Sequence, residues 1–295
     1  MLAPSGARGL VTAALVAVAL VLWGRFVEPR LLTVTRRTLE IAGLPAGLDG
    51  TRIALLADLH GESFGPGQAR IRMLLEREQP HVLVFAGDLV DFSRGGLEEG
   101  LELLRAMAAQ GPVLAIWGNH DHQRDLPAIR AGVAAAGIKV IDLEETPSFA
   151  LKLDGGTIAF AAMPRSWLKQ VAPIRPAVTA ARAASPPGSP VVVVMHSPGP
   201  EKVNLAAAAG ADLILAGHTH GGQICAPVIG PLWVPGQGLR PPLAWGLHRV
   251  AGAWVFVTRG LGTSVLPIRF LCPPEVVVLT LRSVPAGGAA IGPAR

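Results

Sequence analysis

The chain has 295 residues, half of them hydrophobic, which is enough for one sizeable globular domain and cramped for two. Its formal charge of +5 is concentrated at the front: residues 1–40 carry Arg8, Arg25, Arg30, Arg36 and Arg37 against Glu28 and Glu40, and the rest is close to neutral with its basic residues scattered. That argues against a nucleic-acid partner, which needs basic residues clustered on the folded domain. Cys225 and Cys272 are the only cysteines and form no C-x-x-C pattern, which argues against a zinc-thiolate site or a disulfide framework. They read as small buried hydrophobes, with a single bridge between them left open.

From Leu10 to Trp23 every residue is apolar except Thr12, a run flanked by Arg8 and Arg25. This is short of the roughly 20 residues that span a bilayer, but snorkelling of Arg25 and inclusion of Phe26 and Val27 extend it. Residues 1–27 therefore read as an uncleaved anchor to the cell membrane. A cleaved signal peptide and a buried core helix are the alternatives; Trp23-Gly24-Arg25 is a poor cleavage site, and cleavage after Ala17-x-Ala19 leaves too little apolar sequence before it. The arginines after the run lean toward a cytoplasmic catalytic domain by the positive-inside rule. Residues 28–48 read as a basic linker and entry strand.

Farther on, short β-rich runs alternate with helical patterns, the signature of a layered α/β fold. The runs are Arg52–Ala57, Val82–Ala86, Val113–Trp117, Val191–Met195 and Ala211–Ala216. Between them, Gln68–Glu78, Leu97–Ala109 and Leu126–Ala136 place apolar residues at helical spacing. A hairpin is expected over Phe149–Ala162 with its turn at Asp154-Gly155-Gly156, then a Pro-rich excursion over Met163–Pro190 around one short Ala-rich helix. Strands are expected at Leu243–Trp245, Trp254–Thr258 and Val276–Leu281, and residues 284–295 read as a disordered tail.

Residues able to bind metal follow these runs directly: Asp58 and His60, Asp88, Asn119 with His120 and Asp121, His196, then His218 and His220. Ligands gather at the carboxyl ends of strands in open α/β sheets, so side chains distant in sequence converge there. Most of the eight histidines lie in these turns. Gly87, Gly118 and Gly217 let the backbone turn where a side chain must be aimed. The donors are oxygen and imidazole without thiolate, which suits two divalent ions, manganese first with iron or zinc as alternatives. A shared Asp bridges two cations naturally, and such a pair clamps the oxygens of a phosphoryl displacement and lowers the pKa of a bridging water. Singly, Asp58 or Asp88 is equally a helix N-cap and His196 a satisfied buried histidine. Together, burying so many polar groups without a cation is costly. His122 reads as a solvated loop residue, and His81 and His248 as surface or structural. Arg269 and Glu275 either pair near the site or close the domain.

The blocks Asp58-x-His60, Gly87-Asp88, Gly118-Asn119-His120-Asp121, His196 and Gly217-His218-x-His220 resemble those of the calcineurin-like metallophosphoesterases, in order, over roughly residues 50–282. The resemblance implies a four-layer α/β/β/α metallophosphoesterase sandwich over 49–283, preceded by a single N-terminal hydrophobic helix. It implies one metal on Asp58, His60 and His220, a second on Asn119, His196 and His218, and Asp88 between them. His120 is then the catalytic residue at the leaving oxygen, with Asp121 orienting its imidazole. Downstream, Gly221-Gly222-Gln223-Ile224, Gly260-Leu261-Gly262-Thr263-Ser264, Pro267-Ile268-Arg269-Phe270 and Cys272-Pro273-Pro274-Glu275 resemble the membrane-anchored bacterial phosphodiesterase branch related to UDP-2,3-diacylglucosamine pyrophosphatase. Gly61-Glu62 departs from the expected apolar residue and Gly, leaving the ligands intact. The expected substrate is a phosphodiester or pyrophosphate, amphiphilic and met at a membrane, because Ile224, Val228, Ile229, Leu232, Trp233, Val234, Leu239, Leu243 and Trp245 make the late loops unusually apolar. A small soluble phosphodiester is the alternative. Protein phosphatases of this fold carry an Arg and a Glu where this chain has Phe92 and Asp121, and a silent scaffold would have lost ligands.

Overall fold

The computed structural model describes residues 5–61, 67–91, 96–163, 174–231, 233–234, 237–239 and 241–285. Glu62, Phe92, Leu232, part of the Pro-rich excursion (164–173) and the terminal stretch 286–295 lie outside the described residues.

An apolar helix, α1 (Ser5–Leu22), opens the chain and runs on through a π-helical turn (Trp23–Val27) and a 3-10 turn (Glu28–Arg30). Continuing past Trp23 makes the helical stretch Arg8–Arg30 23 residues long with a hydropathy of 2.2, enough in length and composition to cross a bilayer. Its side chains are exposed, against the buried core-helix alternative.

The first half of the domain then runs β1 (Thr33–Ala42), β2 (Arg52–Leu56), α2 (Gly67–Glu78), β3 (Val82–Ala86), α3 (Leu97–Ala108), β4 (Val113–Ile116), α4 (Asn119–Arg124), α5 (Leu126–Ala135) and β5 (Val140–Asp142). The second half runs β6 (Ser148–Leu153), β7 (Gly156–Met163), α6 (Ile174–Ala183), β8 (Val191–Met195), α7 (Pro200–Ala208) and β9 (Leu213–Ala216). Four two-residue strands follow, β10 (Cys225–Ala226), β11 (Gly230–Pro231), β12 (Trp233–Val234) and β13 (Gly238–Leu239), before β14 (Gly246–Val250), β15 (Ala253–Val257) and β16 (Glu275–Val284).

Two six-stranded sheets result, ordered β1-β16-β2-β3-β4-β5 and β14-β15-β9-β8-β7-β6. The central runs Val82–Ala86 and Val191–Met195 are buried along their whole length, as parallel strands covered on both faces require. Between the sheets, Leu39, Ile53, Val84 and Leu279 meet Ile158, Phe160, Val194 and Phe256. Outside the first sheet, Leu83 and Phe85 pack on Ile71, Leu75, Leu104 and Ile129 of α2, α3 and α5. Outside the second, Val191, Val193 and Ile214 pack on Val178 of α6 and Val203 of α7. These contacts make the expected α/β/β/α layers.

Two sequence expectations change, and one charge of the basic linker finds a partner. Leu243–Trp245 is a turn, with the strand beginning only at Gly246. Val234 and Leu243 are buried rather than loop surface, while Val228, Ile229, Leu239 and Trp245 are exposed. Arg36 is held by Glu78 of α2, with Nε at 2.9 Å, so its charge is engaged within the domain.

Candidate metal centre

Strands β2, β3 and β4 run parallel in one sheet and β8 and β9 run parallel in the other, so the residues that follow each emerge at one end of the sandwich. Asp58, His60, Asp88 and Asn119 come from the first sheet and His196, His218 and His220 from the second. Donor atoms of Asp58, His60 and His220 all lie within 4.8 Å of one another, and so do those of Asp88, His196 and His218. Asp88 Oδ2, 3.2 Å from His196 Nε2 in its own group, also lies 3.6 Å from His60 Nε2 of the other. Asn119 Oδ1 joins the second group at 3.1 Å from His196 Nε2.

The backbone explains how such a cluster is aimed. Asp58, His60, Asp88, His218 and His220 all have positive φ, at 56°, 55°, 57°, 72° and 50°. Asp and His tolerate this region better than most residues, but each instance still costs roughly 1–3 kcal/mol, and such strain concentrates where a side chain must be pointed. Gly87 is also left-handed at φ 93°, and a Cβ there would press on His196 Nδ1 at 2.6 Å. Gly118 has ordinary dihedrals, φ −90° and ψ −175°; it is required by space, since a Cβ would collide with the Asp88 carboxylate.

Imidazole tautomers are set from outside the cluster. His196 Nδ1 donates to Ala86 O at 2.7 Å, which turns Nε2 inward toward the cluster. His60 Nε2 and His220 Nε2 face each other at 3.0 Å, and His218 Nδ1 faces His196 Nε2 at 3.2 Å. Burial pushes the Asp58 carboxyl up to about 7, against the pull of His196. Burial also drives His60 down to about 4, His218 to about 3 and His220 well below its ordinary value. For Asp88 burial alone would act upward, but His196, then His60 and His120, hold it below the carboxylate range; burial likewise opposes His196, yet Asp88 lifts it to about 9. Burial thus favours the neutral, ligating form of His60, His218 and His220, and the nitrogen and oxygen donor set fits two divalent ions.

His120 stands beside this cluster, its ring edge-on to His60 with centroids 4.5 Å apart. The carboxylate beside its Nδ1 is Asp91, at 3.6 Å, and not Asp121. Asp121 accepts N–H bonds from Val90 (3.0 Å) and Gly118 (2.8 Å), tying the β3 and β4 turns together, and burial with the nearby Asp88 charge pushes it up to about 7. Asp91 was missed from sequence; its position at the third residue after Asp88 in the same strand-end turn was the available signal. His122 is not a solvated loop residue but pairs with Glu144 at 3.1 Å. Arg269 and Glu275 do not pair: Glu275 binds Arg259 at 3.0 Å, while the fully buried Arg269 donates to Gly262, Cys272 and Arg259 carbonyls. Cys225 and Cys272 are free and buried. His81 accepts from Arg52 N–H and His248 contacts Trp245 O, both structural.

A cleft of about 540 Å³ opens on the centre. Its lining includes the polar Asp88, Asn119, His120, His218 and His220 and the apolar Ile224, Trp233, Val265 and Leu266.

Comparison with known proteins gives the following. Residues 51–222 match the family described as calcineurin-like phosphoesterase. An uncharacterized metallophosphoesterase of Bacillus subtilis (strain 168), YkuE, is 28% identical over 265 residues, covering 88% of this chain and 89% of its own. The phosphodiesterase YaeI of Escherichia coli (strain K12) is 29% identical over 242 residues, covering 78% and 82%. The UDP-2,3-diacylglucosamine pyrophosphatase LpxG of Chlamydia trachomatis is 25% identical over 308 residues, covering 87% and 91%.

Proposed function

The chain belongs to the calcineurin-like phosphoesterases and is a hydrolase of phosphoester bonds, and from that premise we propose a binuclear, metal-dependent phosphodiesterase or pyrophosphatase acting on an amphiphilic substrate at the cell membrane. The observation that carries the reading is the convergence of candidate metal donors from both sheets beside a cleft whose lining joins four of them to apolar side chains. Asp58, His60 and His220 would hold one ion, Asn119, His196 and His218 the other, with Asp88 shared. When bound, such a pair, manganese by preference, supplies a nucleophile from water near neutral pH and neutralises charge on the phosphoryl oxygens.

The chain's own groups do the rest. His120 lines the cleft and gives a proton to the leaving oxygen, with Asp91 stabilising the charged imidazole. Asp121 acts through the backbone it ties, keeping Asn119 and Asp88 in register. Ile224, Trp233, Val265 and Leu266 provide an apolar wall for acyl chains, each buried methylene contributing about 0.8 kcal/mol. The substrate in the name of the Chlamydia relative supports a diacylated nucleotide-sugar pyrophosphate as the class. Residues 1–27 act as the anchor and 49–283 as the catalytic domain. The test is kcat/KM for acylated and deacylated forms of one nucleotide-sugar pyrophosphate, in detergent. A higher value for the acylated form is expected; equal values remove the amphiphilic substrate and leave the phosphoesterase assignment.

A further inference from the structure

We propose that the apolar rim beside the cleft is a membrane-seating surface: the hairpin tip Val228–Ile229 and the loop Val265–Leu271 enter the acyl region of the bilayer that holds α1, setting the cleft mouth at headgroup level. This rests on reading α1 as a membrane anchor, and it concerns where the domain sits, not what it cleaves.

The rim is fastened to the end of the helix. Arg269 N–H donates to Gly24 O at 2.9 Å, and Gly24 fits so closely that a Cβ would meet Arg269 O and Ile268 Cγ2, both at 2.9 Å. Glu28, buried at the helix end, accepts from Trp23 Nε1 at 3.1 Å and from Cys272 N–H. On its other side the loop holds the hairpin: Phe270 N–H donates to Gln223 O at 3.0 Å, Cys225 N–H to Phe270 O at 2.9 Å, and Gln223 Nε2 to Leu266 O at 2.6 Å. The loop is thus clamped between the interfacial end of the helix and the segment that lines the cleft.

Water and local backbone both disfavour the residues carried there. Val228, Ile229, Val265 and Leu271 are 108%, 60%, 84% and 50% exposed. Val228, Val265 and Leu271 also hold φ of 67°, 62° and 53°. A water-facing turn at such dihedrals takes Gly or Asn, and a β-branched residue there is an outlier. Apolar side chains in this conformation, continuous with a helix apolar enough to span lipid, match an acyl environment. Arg25 and Arg30, exposed at the helix end, match anionic headgroups just above it.

The test places Ile229→Trp or Leu271→Trp in the full chain, reconstituted in phosphatidylcholine–phosphatidylglycerol vesicles with or without dibrominated acyl chains. The fluorescence added over the parent should fall about twofold or more in brominated vesicles at both positions, as for a side chain below the headgroups. Met73→Trp, on α2 and 64% exposed, should show no such loss. Val228→Asn suits the left-handed tip, so it should keep the melting temperature while weakening the quenching at Ile229→Trp. Quenching at positions 229 and 271 no greater than at 73, in folded protein, overturns the proposal. Because no substrate is involved, that failure is distinct from equal kcat/KM values in detergent.

Discussion

Gly118→Ala separates lack of space from lack of conformational freedom. With φ −90° and ψ −175°, residue 118 sits where any L residue is comfortable, so Ala loses nothing in backbone geometry. Ala would even stabilise by about 0.4–1 kcal/mol through a less flexible unfolded chain. Its Cβ, however, would lie 2.1 Å from Asp88 Oδ1 and 2.4 Å from the Asp88 main-chain N, and ordinary contact needs about 3.5 Å, so both the carboxylate and the backbone that carries it must retreat by about 1 Å. Asp88 has little slack: Oδ1 accepts the His120 N–H at 2.8 Å and Oδ2 lies 3.2 Å from His196 Nε2. Overpacking costs about 1–3 kcal/mol, and a misplacement of this size about 100-fold in rate. The assay is metal content by plasma mass spectrometry, with kcat/KM on bis-p-nitrophenyl phosphate and the melting temperature. The expected result is a folded protein depleted in both metals and about 100-fold slower. Gly137→Ala is the converse, φ 66° with nothing within 4 Å of the added carbon; it should lose about 1 kcal/mol of stability and no activity. Full metal content and normal rate in Gly118→Ala would refute Asp88 as the shared ligand.

Excess chelator should abolish diester hydrolysis, with manganese restoring it best; undiminished activity counts against the metal reading. Asp88→Ala should bind neither metal, whereas His120→Ala should keep both and lose rate by roughly 100-fold, read by metal analysis beside turnover. Asp91→Asn should keep the metals and slow turnover by about 10-fold or more, read by metal analysis beside turnover. Arg36→Ala, breaking an exposed pair with Glu78, should change unfolding free energy by less than about 1 kcal/mol in a denaturant titration.

The sheet core was legible because its strands are short, continuous apolar runs such as Val82–Ala86 and Val191–Met195, and the layers followed from their alternation with helical patterns. Less could be read where the signal is tertiary. In β1, Arg36, Arg37 and Glu40 interrupt the apolar pattern, so that its ten-residue pairing with β16 comes from the partner strand and not from local propensity. Helix α7 follows Ser-Pro-Gly-Pro, which reads as loop although Pro200 is well placed in a first helical turn. Spacing brought the candidate metal donors into view because each follows a strand directly. Asp91 has only the weaker mark of lying three residues into the same turn as Asp88, and its position beside His120 is a product of folding. The family resemblance implies Asp121 as the partner of the His120 imidazole, but adjacent residues at a helix start point apart, and its carboxylate turns back to the Gly118 N–H.

The distribution of donors between the sheets bears on stability as well as chemistry. Asp58, His60, Asp88 and Asn119 leave one sheet and His196, His218 and His220 the other, so each proposed ion takes ligands from both and pins the two sheets at one end. The five left-handed ligand positions are strained, and the apolar contact between the sheets must offset that strain when no cation is present. Anything that binds the folded state alone stabilises it, by about 2.7 kcal/mol at a free concentration 100 times the dissociation constant. Metal removal therefore acts on the join between the sheets first. The loosening should appear at the strand-end turns, where Gly217 N–H bonds to His196 O at 3.1 Å and Asp58 N–H to Gly87 O at 2.8 Å, while Val84 and Val193 stay protected within their sheets. Hydrogen exchange of the metal-loaded and chelated protein reads this directly, and equal protection of those turns in both forms would count against the cross-sheet ligand set.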